Sequence, residues 1–594
     1  MDGAFSIPVF SFLLSLSKTF NHPMNSNSKS SASNNAHNTS ETKTSFQVIR
    51  ETIESIVIAF VLALTFRTYI AEAFMIPTGS MANELMGRHK DINCPGCGYR
   101  FKVGATEEVD RSSGRQIRGA YITGVVCPNC RVGIDLMREE IRGQKTPSYS
   151  GDRIIVGKYP YRMSKPERWD VFVFMFPGNT QTNYIKRLVG MPNETMRVQH
   201  GDVFTRPLDS TEESDFQIAR KPADKVLAVM QNVYDDDKRN LDFYSKTNWP
   251  RRWVAAQGSV WESEQDRSEY RCQASSNDKI NWLMYQHVVP TYDVLLNYYQ
   301  GSKPTRTPDV RPSLITDMNA YNFNRLKTGS SDPRQFAPTA DQLGMHWTGD
   351  LIVECDIAPA AKTGKAYLQL IKGGVVFTAT INLANQTAQL SISGESNWQP
   401  KASVKIEPGK KTSLRFANVD QALYLWVDGK LVSFDSPTQY NALDNSLPTK
   451  DDLNPARIGL EGVAATVEHV KLFRDLYYIA AQRPIYRHIT DYEDGMLPYN
   501  EDSAEDMEDF FRNPTRWGRM ASRRTIQFDL HDGQYFAMGD NCTHSEDSRL
   551  WGRPEEGIDF FVSEDLLIGK AQFVFWPHAY NGFIPNVFDM RKVK

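Results

Sequence analysis

The sequence predicts a mainly β protein, assembled from several modules behind one apolar helix. Three observations predict it. Short apolar runs bounded by turn residues lie at 151–156, 170–174 and 183–189, and the same pattern returns at 534–538 and 567–577. A denser series of short strands and turns fills 345–480. One uncharged apolar stretch of helical character stands near the N-terminus, at 55–66. With 594 residues more than one domain is expected, and 40% hydrophobic residues is ample for buried cores. A net charge of −3 argues against a nucleic-acid binder.

Residues 1–47 read as a disordered N-terminal segment. The apolar run 5–16 is broken by Pro8 and lacks preceding basic residues, so it is a poor signal peptide, and 21–45 is rich in Ser, Asn and Thr. Residues 48–71 are expected to form a transmembrane helix whose uncharged run 55–66 is bracketed by Glu54 and Arg67, with Tyr69 and Phe74 at the interface. Its apolar core is shorter than the ~20 residues a span usually needs, so its flanks must snorkel. The competing reading is an amphipathic or buried helix. Lys18, Lys29, Lys43 and Arg50 precede its apolar stretch from Ile53, which favours a cytoplasmic N-terminus with the rest of the chain outside.

Four of the seven cysteines form two C-x-x-C pairs, Cys94/Cys97 and Cys127/Cys130, separated by a polar stretch with turn residues Ser112-Ser113-Gly114. Each knuckle points two thiolates at one centre, so the pairs predict a zinc ribbon over 94–149 with a structural metal and no open coordination position. Two disulfides are the alternative that an extracytoplasmic location allows. Cys272, Cys355 and Cys542 are scattered and read as free thiols.

Residues 207–344 are polar, with loose helical patterning at 280–299, and offer no fold or function. In 345–480 the strand candidates 351–355, 366–370, 389–392, 414–416, 422–426 and 467–473 are divided by turns such as Lys372-Gly373-Gly374 and Asp428-Gly429-Lys430. That spacing predicts a β-sandwich or jelly roll. Leu425-Trp426-Val427-Asp428-Gly429 and Ile458-Gly459-Leu460 resemble concanavalin-like lectin or laminin-G-like modules, which makes a glycan or an envelope protein a candidate partner. Its loop Asp and Asn residues read as turn formers before calcium ligands.

The chain is organised around Ile76-Pro77-Thr78-Gly79-Ser80-Met81. Pro77 and Gly79 bend the backbone so that one hydroxyl stands clear of its own chain, as a serine nucleophile requires. An ordinary loop is the bland alternative. Three later segments add to it: Ser150-Gly151-Asp152-Arg153-Ile154-Ile155-Val156, then Tyr184-Ile185-Lys186-Arg187-Leu188-Val189-Gly190, then Gly539-Asp540-Asn541 running on to Ser545-Glu546-Asp547-Ser548-Arg549. In this order they resemble the boxes of type I signal peptidases over 48–93, 150–205 and 485–580. The resemblance implies a split catalytic fold at 72–93, 150–206 and 485–594. It implies Ser80 as nucleophile, Lys186 as general base, Thr78 joining the Ser80 N–H in the oxyanion hole, and Ser545 orienting the lysine. Asp547 and Arg549 match a supporting ion pair, and Asp540 belongs to the same box. An amine serves as base only when neutral, and desolvation by Tyr184, Ile185, Leu188 and Val189 would lower the Lys186 pKa. The alternative is a surface lysine beside Arg187.

The implied substrate is a secreted preprotein cleaved at the outer face of a bacterial cytoplasmic membrane. Its extended chain would add as a strand beside Asp152–Val156 and the segment before Ser80. The sequence departs from the family where Asn83-Glu84 replace a usual Pro-Thr and where Cys542 holds a position often basic. Two other readings stand beside this one: a specialised protease with few substrates, motivated by the long insertions, and a catalytically silent envelope adaptor.

Overall fold

The computed structural model describes residues 45–110, 115–137, 146–264, 266–274, 279–302, 310–326, 340–441, 443, 446–482, 489–493, 496–500, 503–577, 579–580 and 584–594. The expectations for 1–44 and for the turn at 112–114 lie outside them.

β-branched and aromatic residues between turn formers favour pleated strands. The runs so patterned form one antiparallel sheet from β1 (Ala71–Met75), β2 (Arg153–Gly157), β3 (Val171–Phe176), β4 (Asn179–Gly190), β5 (Gln534–Met538), β6 (Val562–Ser563) and β7 (Leu567–Trp576). Their order is β1-β2-β7-β3-β4-β5-β6, with Arg591–Lys592 paired onto β7. A second sheet orders Gln217–Ile218, Asp202–Pro207, Glu194–Gln199 and Thr525–Leu530. One core of these sheets gathers Val189, Met196, Val198, Phe528, Phe536 and Met538. On the other face of β3, β4 and β5, Phe172, Phe174, Leu188, Tyr535 and Trp551 pack together. Burying each such side chain stabilises by about 1.5–3 kcal/mol. Residues separated by more than three hundred positions thus share one sheet, because the connection between β4 and β5 is itself folded.

That connection holds a two-sheet sandwich. Ala465–Arg474, Leu351–Pro359, Thr412–Val419 and Ala422–Val427 form the centre of one sheet, and Ala456–Glu461, Lys365–Lys372, Val375–Asn382 and Thr387–Ile392 that of the other. Val353, Leu368, Phe377, Phe416, Leu425 and Ile458 lie buried between them. The sandwich also takes strands from the segment the sequence left unassigned. Gln231–Asp235 and Glu269–Cys272 pair with Ala465–Arg474, and Asn281–Tyr285 pairs with Ala456–Glu461. The helical patterning at 280–299 resolves into that last strand and the helix Tyr292–Gln300.

The cysteine pairs sit at the tips of a small module. His89–Asn93 pairs with Arg100–Gly104, and Ile122–Val126 pairs with both Gly133–Asp135 and Asn324–Leu326. A piece of the long insertion therefore completes the module's sheet.

The N-terminal helix is Ser45–Tyr69, and its apolar residues Ile56, Phe60, Val61 and Leu64 are exposed. Among the described residues no helix is long and apolar enough to cross a membrane, so the span expected at 48–71 is not met. The uncharged run 55–66 rises about 18 Å at 1.5 Å per residue, against a hydrocarbon core of about 30 Å. Charges close it at both ends, with Arg50 and Glu54 paired at 2.7 Å on one side and Arg67 on the other.

Candidate active site

Ser80 lies in the 3₁₀ turn Gly79–Met81, directly after the extended segment that ends β1. Met81, Ile76 and Leu85 anchor the turn in a core with Ile154, Val156, Val171 and Val173. Ser80 is 9% exposed. The Ser80 carbonyl accepts a hydrogen bond from Asn541 N at 3.0 Å, and the Gly79 carbonyl accepts one from Asn541 Nδ2 at 3.1 Å. Thr78 stands at the N-cap in an extended conformation, and its side chain makes no capping bond.

Lys186 sits on β4 opposite Phe172 of β3. On the other side, the last pair of β4 with β5 is Met538↔Arg187, which places Lys186 and Gly539 next along their chains. Lys186 therefore shares its face with Tyr184 and Leu188, and its Nζ lies 5.8 Å from the Tyr184 ring centre. It is 4% exposed. Burial pulls its ammonium down to about 8, Asp547 pulls the other way, and the Arg549 cation adds to the lowering.

Gly539 is the meeting point. A methyl group there would collide with Ser545 Oγ and lie 2.5 Å from the Ser80 carbonyl oxygen. The serine turn, the end of β5 and the Ser545 loop thus close on the glycine beside Lys186. Ser545 is fully buried, and among the described residues its Oγ has no hydrogen-bond partner. Neither Ser545 Oγ nor Ser80 Oγ is hydrogen-bonded to Lys186 Nζ. Such contacts are often long in a resting site and tighten with substrate.

Two buried ion pairs hold this arrangement. Arg187 donates from Nε and Nη2 to the two oxygens of Asp540, each at 2.7 Å, and also to the Trp169 carbonyl at 2.8 Å. Arg549 grips Asp547 through two bonds of 2.8 Å and donates to the carbonyls of Ile479 and Cys542. Asp547 Oδ2 also accepts from Gly539 N at 3.0 Å. Burial would raise the Asp547 carboxyl, but the charge and hydrogen bonds of Arg549 outweigh it and hold the group below its usual range. Cys542 is buried, its thiol pushed up to about 12 by that burial, and its Sγ donates to the Gly539 carbonyl. Glu84, one of the departures noted above, is buried too and accepts a bond from Lys594 N at 3.1 Å.

The two segments expected to flank an extended peptide pair with each other. β1 and β2 run from Ala71↔Gly157 to Met75↔Arg153, and Ile76 N then donates to the Asp152 carbonyl at 2.9 Å. No strand fits between them. Among the described residues β1 ends the sheet, which leaves its outer edge for strand addition.

Cys94, Cys97, Cys127 and Cys130 bring their four Sγ atoms within 4.8 Å of one another. Cys94 and Cys130 Sγ are 3.7 Å apart, and Cys97 and Cys127 Sγ 3.6 Å. A tetrahedron with metal–sulfur arms of about 2.3 Å has edges of about 3.8 Å, so this set fits zinc, whereas disulfide sulfurs lie about 2 Å apart. Both knuckles repeat one geometry. Gly98 N donates to the Cys94 carbonyl and Arg131 N to the Cys127 carbonyl, with φ of 69° and 65° at Gly98 and Arg131. Arg131 and Arg252 are buried without a carboxylate partner among the described ion pairs, and Arg252 donates to the Asn129 carbonyl inside the second knuckle. Two such cations suit a tetrathiolate zinc centre, which carries two negative charges.

Sequence reasoning missed the partners that hold the site. Asn541 and Gly539 belong to a recognised box but carried no role. Arg187 was read only as the neighbour of Lys186. Asn319, Tyr321 and Asn322, described below, had no signal in the sequence.

A serine turn packed against the strand that buries a lysine amine supplies the two groups used by serine hydrolases whose base is lysine. The comparisons with known proteins narrow that class. The profile of the family "Signal peptidase, peptidase S26" matches residues 140–249 and 481–576, which include Lys186 and Ser545 and leave out Ser80. The chain is 41% identical over 51 residues to signal peptidase I of Haemophilus influenzae, covering 9% of this chain and 12% of that protein. It is 39% identical over 59 residues to signal peptidase I of Pseudomonas aeruginosa, covering 8% and 21%. It is 36% identical over 58 residues to the probable signal peptidase I-2 of Synechocystis sp., covering 9% and 27%. The chain thus spans between an eighth and about a quarter of the length of these curated relatives. Among solved structures it is similar to carbohydrate-binding module CBM66 from Bacillus subtilis, at 10% identity and TM-score 0.21 over 37% of this chain and 94% of that one. Galectin LEC-6 of Caenorhabditis elegans follows at 11% identity and TM-score 0.15, over 21% and 83%. At those scores the structural likenesses carry no argument.

Proposed function

We propose that this chain is a signal-peptidase-type serine endopeptidase that cleaves secreted preproteins with Ser80 and Lys186. The observation that carries the reading is the burial of Lys186 beside the Ser80 turn, which brings its pKa to about 8. A useful fraction of the amine is then neutral near physiological pH. Neutral Lys186 takes the Ser80 proton as Oγ attacks the scissile carbonyl. The Ser80 N–H and the Thr78 hydroxyl stabilise the oxyanion, and the Lys186 ammonium protonates the departing amine. Water, deprotonated by the same lysine, then releases the acyl-enzyme. Ser545 orients the amine as it moves between these partners. The peptide adds as a strand on the outer edge of β1.

Zinc held by Cys94, Cys97, Cys127 and Cys130 supplies structure and no chemical step, since four thiolates fill its coordination. The exposed apolar residues of Ser45–Tyr69 contact lipid, at the outer face of a bacterial cytoplasmic membrane by analogy with the family. The sandwich serves as a docking or spacer module, and a glycan array tests whether it takes sugars. A narrow substrate range is favoured by one observation: part of the insertion packs on the serine turn. Complementation of a depleted general signal peptidase separates that reading from a general role.

The test uses the purified full chain and a peptide with small residues at the first and third positions before the cut, the preference that the resemblance to type I signal peptidases implies. Ser80→Ala and Lys186→Ala should each reduce cleavage to background while folding is retained. Cleavage surviving in either folded variant rejects the pair.

A further inference from the structure

The 3₁₀ turn Ala320–Asn322 comes from the insertion, yet it lies against the serine turn. Asn322 and Asn541 exchange two side-chain amide bonds of 2.8 Å, Asn322 Nδ2 to Asn541 Oδ1 and Asn541 Nδ2 to Asn322 Oδ1. Asn319 Nδ2 donates to the same Asn541 Oδ1 at 3.1 Å, and Asn322 Nδ2 reaches Thr543 Oγ1 at 2.9 Å. Asn541 spends its remaining donors on the serine turn, Nδ2 on the Gly79 carbonyl and N on the Ser80 carbonyl. Every donor and acceptor of its side chain is used. The Tyr321 ring rests on Gly79 so closely that a Cβ there would strike it, and Tyr321 OH donates to the Arg88 carbonyl at 2.9 Å. Asn319, Tyr321, Asn322 and Asn541 are all buried. The strand Asn324–Leu326, which follows at once, is pinned to Ile122–Val126 of the cysteine module.

One bond in this set bears on catalysis. The Gly79 carbonyl and the Ser80 N–H belong to a single planar trans peptide and point in opposite directions. Whatever fixes the Gly79 oxygen therefore aims the Ser80 N–H. Asn541 Nδ2 holds that oxygen from outside the turn at 3.1 Å, alongside the turn's own Ala82 N at 3.1 Å, and Asn319 and Asn322 fix the Asn541 amide.

We propose that Asn319 and Asn322, with Tyr321 packed on Gly79, are positioning residues that aim the Ser80 N–H at the oxyanion through Asn541. This rests on the peptidase reading above. It assigns the insertion a part in the reaction through residues that act on the serine turn.

The experiment compares the full chain with Asn322→Ala by steady-state cleavage of the same peptide and by amide hydrogen exchange over 76–86. Asn322→Ala should lower kcat by about tenfold to a hundredfold, somewhat less than the loss of a whole oxyanion donor. KM should stay within about a factor of two, since ground-state binding is untouched. Exchange over 76–86 should quicken while the melting temperature holds within about 2 °C. An unchanged kcat overturns the proposal, as does a loss confined to KM or one that follows the unfolded fraction. Tyr321→Phe, which keeps the ring on Gly79 and loses the hydroxyl with its bond to the Arg88 carbonyl, should retain kcat within about threefold; a loss as large as that of Asn322→Ala overturns the proposed route through Asn541. If the parent chain cleaves no peptide, the peptidase reading fails by itself. Exchange then decides the mechanical link: unchanged protection over 76–86 in Asn322→Ala removes it, and faster exchange upholds it.

Discussion

Arg187 and Asp540 face each other as a buried fork, two 2.7 Å bonds between groups at 0% and 2% exposure. Each is one residue from the site, Arg187 beside Lys186 and Asp540 beside Gly539. The pair joins β4 to the loop that carries Ser545, across more than three hundred residues of chain. Burying two charges is costly, and the return depends on their geometry. Asp540→Ala leaves Arg187 buried without its counter-charge and should destabilise the chain by about 3–5 kcal/mol. Chemical denaturation reads this directly, and an unchanged midpoint would show that the fork is not what joins these segments.

Lys186 predicts a pH dependence of both rate and stability. The amine titrates at about 8 in the folded chain and 10.5 when solvated. Catalysis needs it neutral, so kcat/KM should rise with pH and level off above about 8. Between those two values the unfolded chain binds more protons than the folded one, so this amine's cost to stability is full below pH 8 and fades as pH approaches 10.5. Lys186→Met should therefore abolish cleavage and stabilise the fold at pH 7, by on the order of 3 kcal/mol. A variant that melts lower than the parent at pH 7 would contradict the desolvated amine.

Gly539 has no room for a side chain. Gly539→Ala drives a methyl into Ser545 Oγ and the Ser80 carbonyl oxygen. A backbone oxygen cannot step aside as a long side chain can, so the serine turn must shift. Displacements of this kind cost on the order of a hundredfold in rate. Cleavage at the parental rate would mean that these three segments do not close on one another.

The four thiols predict one zinc per chain. Native mass spectrometry should find it, and strong chelation should lower the melting temperature, since the metal would tie together the two knuckles at the edge of the module's core. Two oxidised pairs and no zinc would replace the metal with disulfides. Because Asn324–Leu326 hangs on the same module, metal removal should also quicken amide exchange over 76–86.

The strands and the knuckles were legible because their signals are local. Alternation and turn chemistry mark β2, β3 and β5 within a few residues each, and the C-x-x-C spacing alone pairs thiols two by two. The order of the boxes around Ser80, Lys186 and Asp540 was equally open to reading along the chain. Strands such as Glu269–Cys272 were not, because they are short, flanked by charge, and acquire a buried face only when Ala465–Arg474 lies beside them.

The sequence by itself determined a β protein with two paired-cysteine knuckles and one alcohol at a Pro/Gly turn, since each depends on neighbours a few positions away. Tertiary structure alone decided the proton affinity of Lys186, the use of Asn541 to hold the serine turn, and the recruitment of Asn319 and Asn322 to hold Asn541. Those are desolvation and hydrogen bonding between groups hundreds of residues apart, and no local pattern encodes which distant surface will exclude water from a given atom.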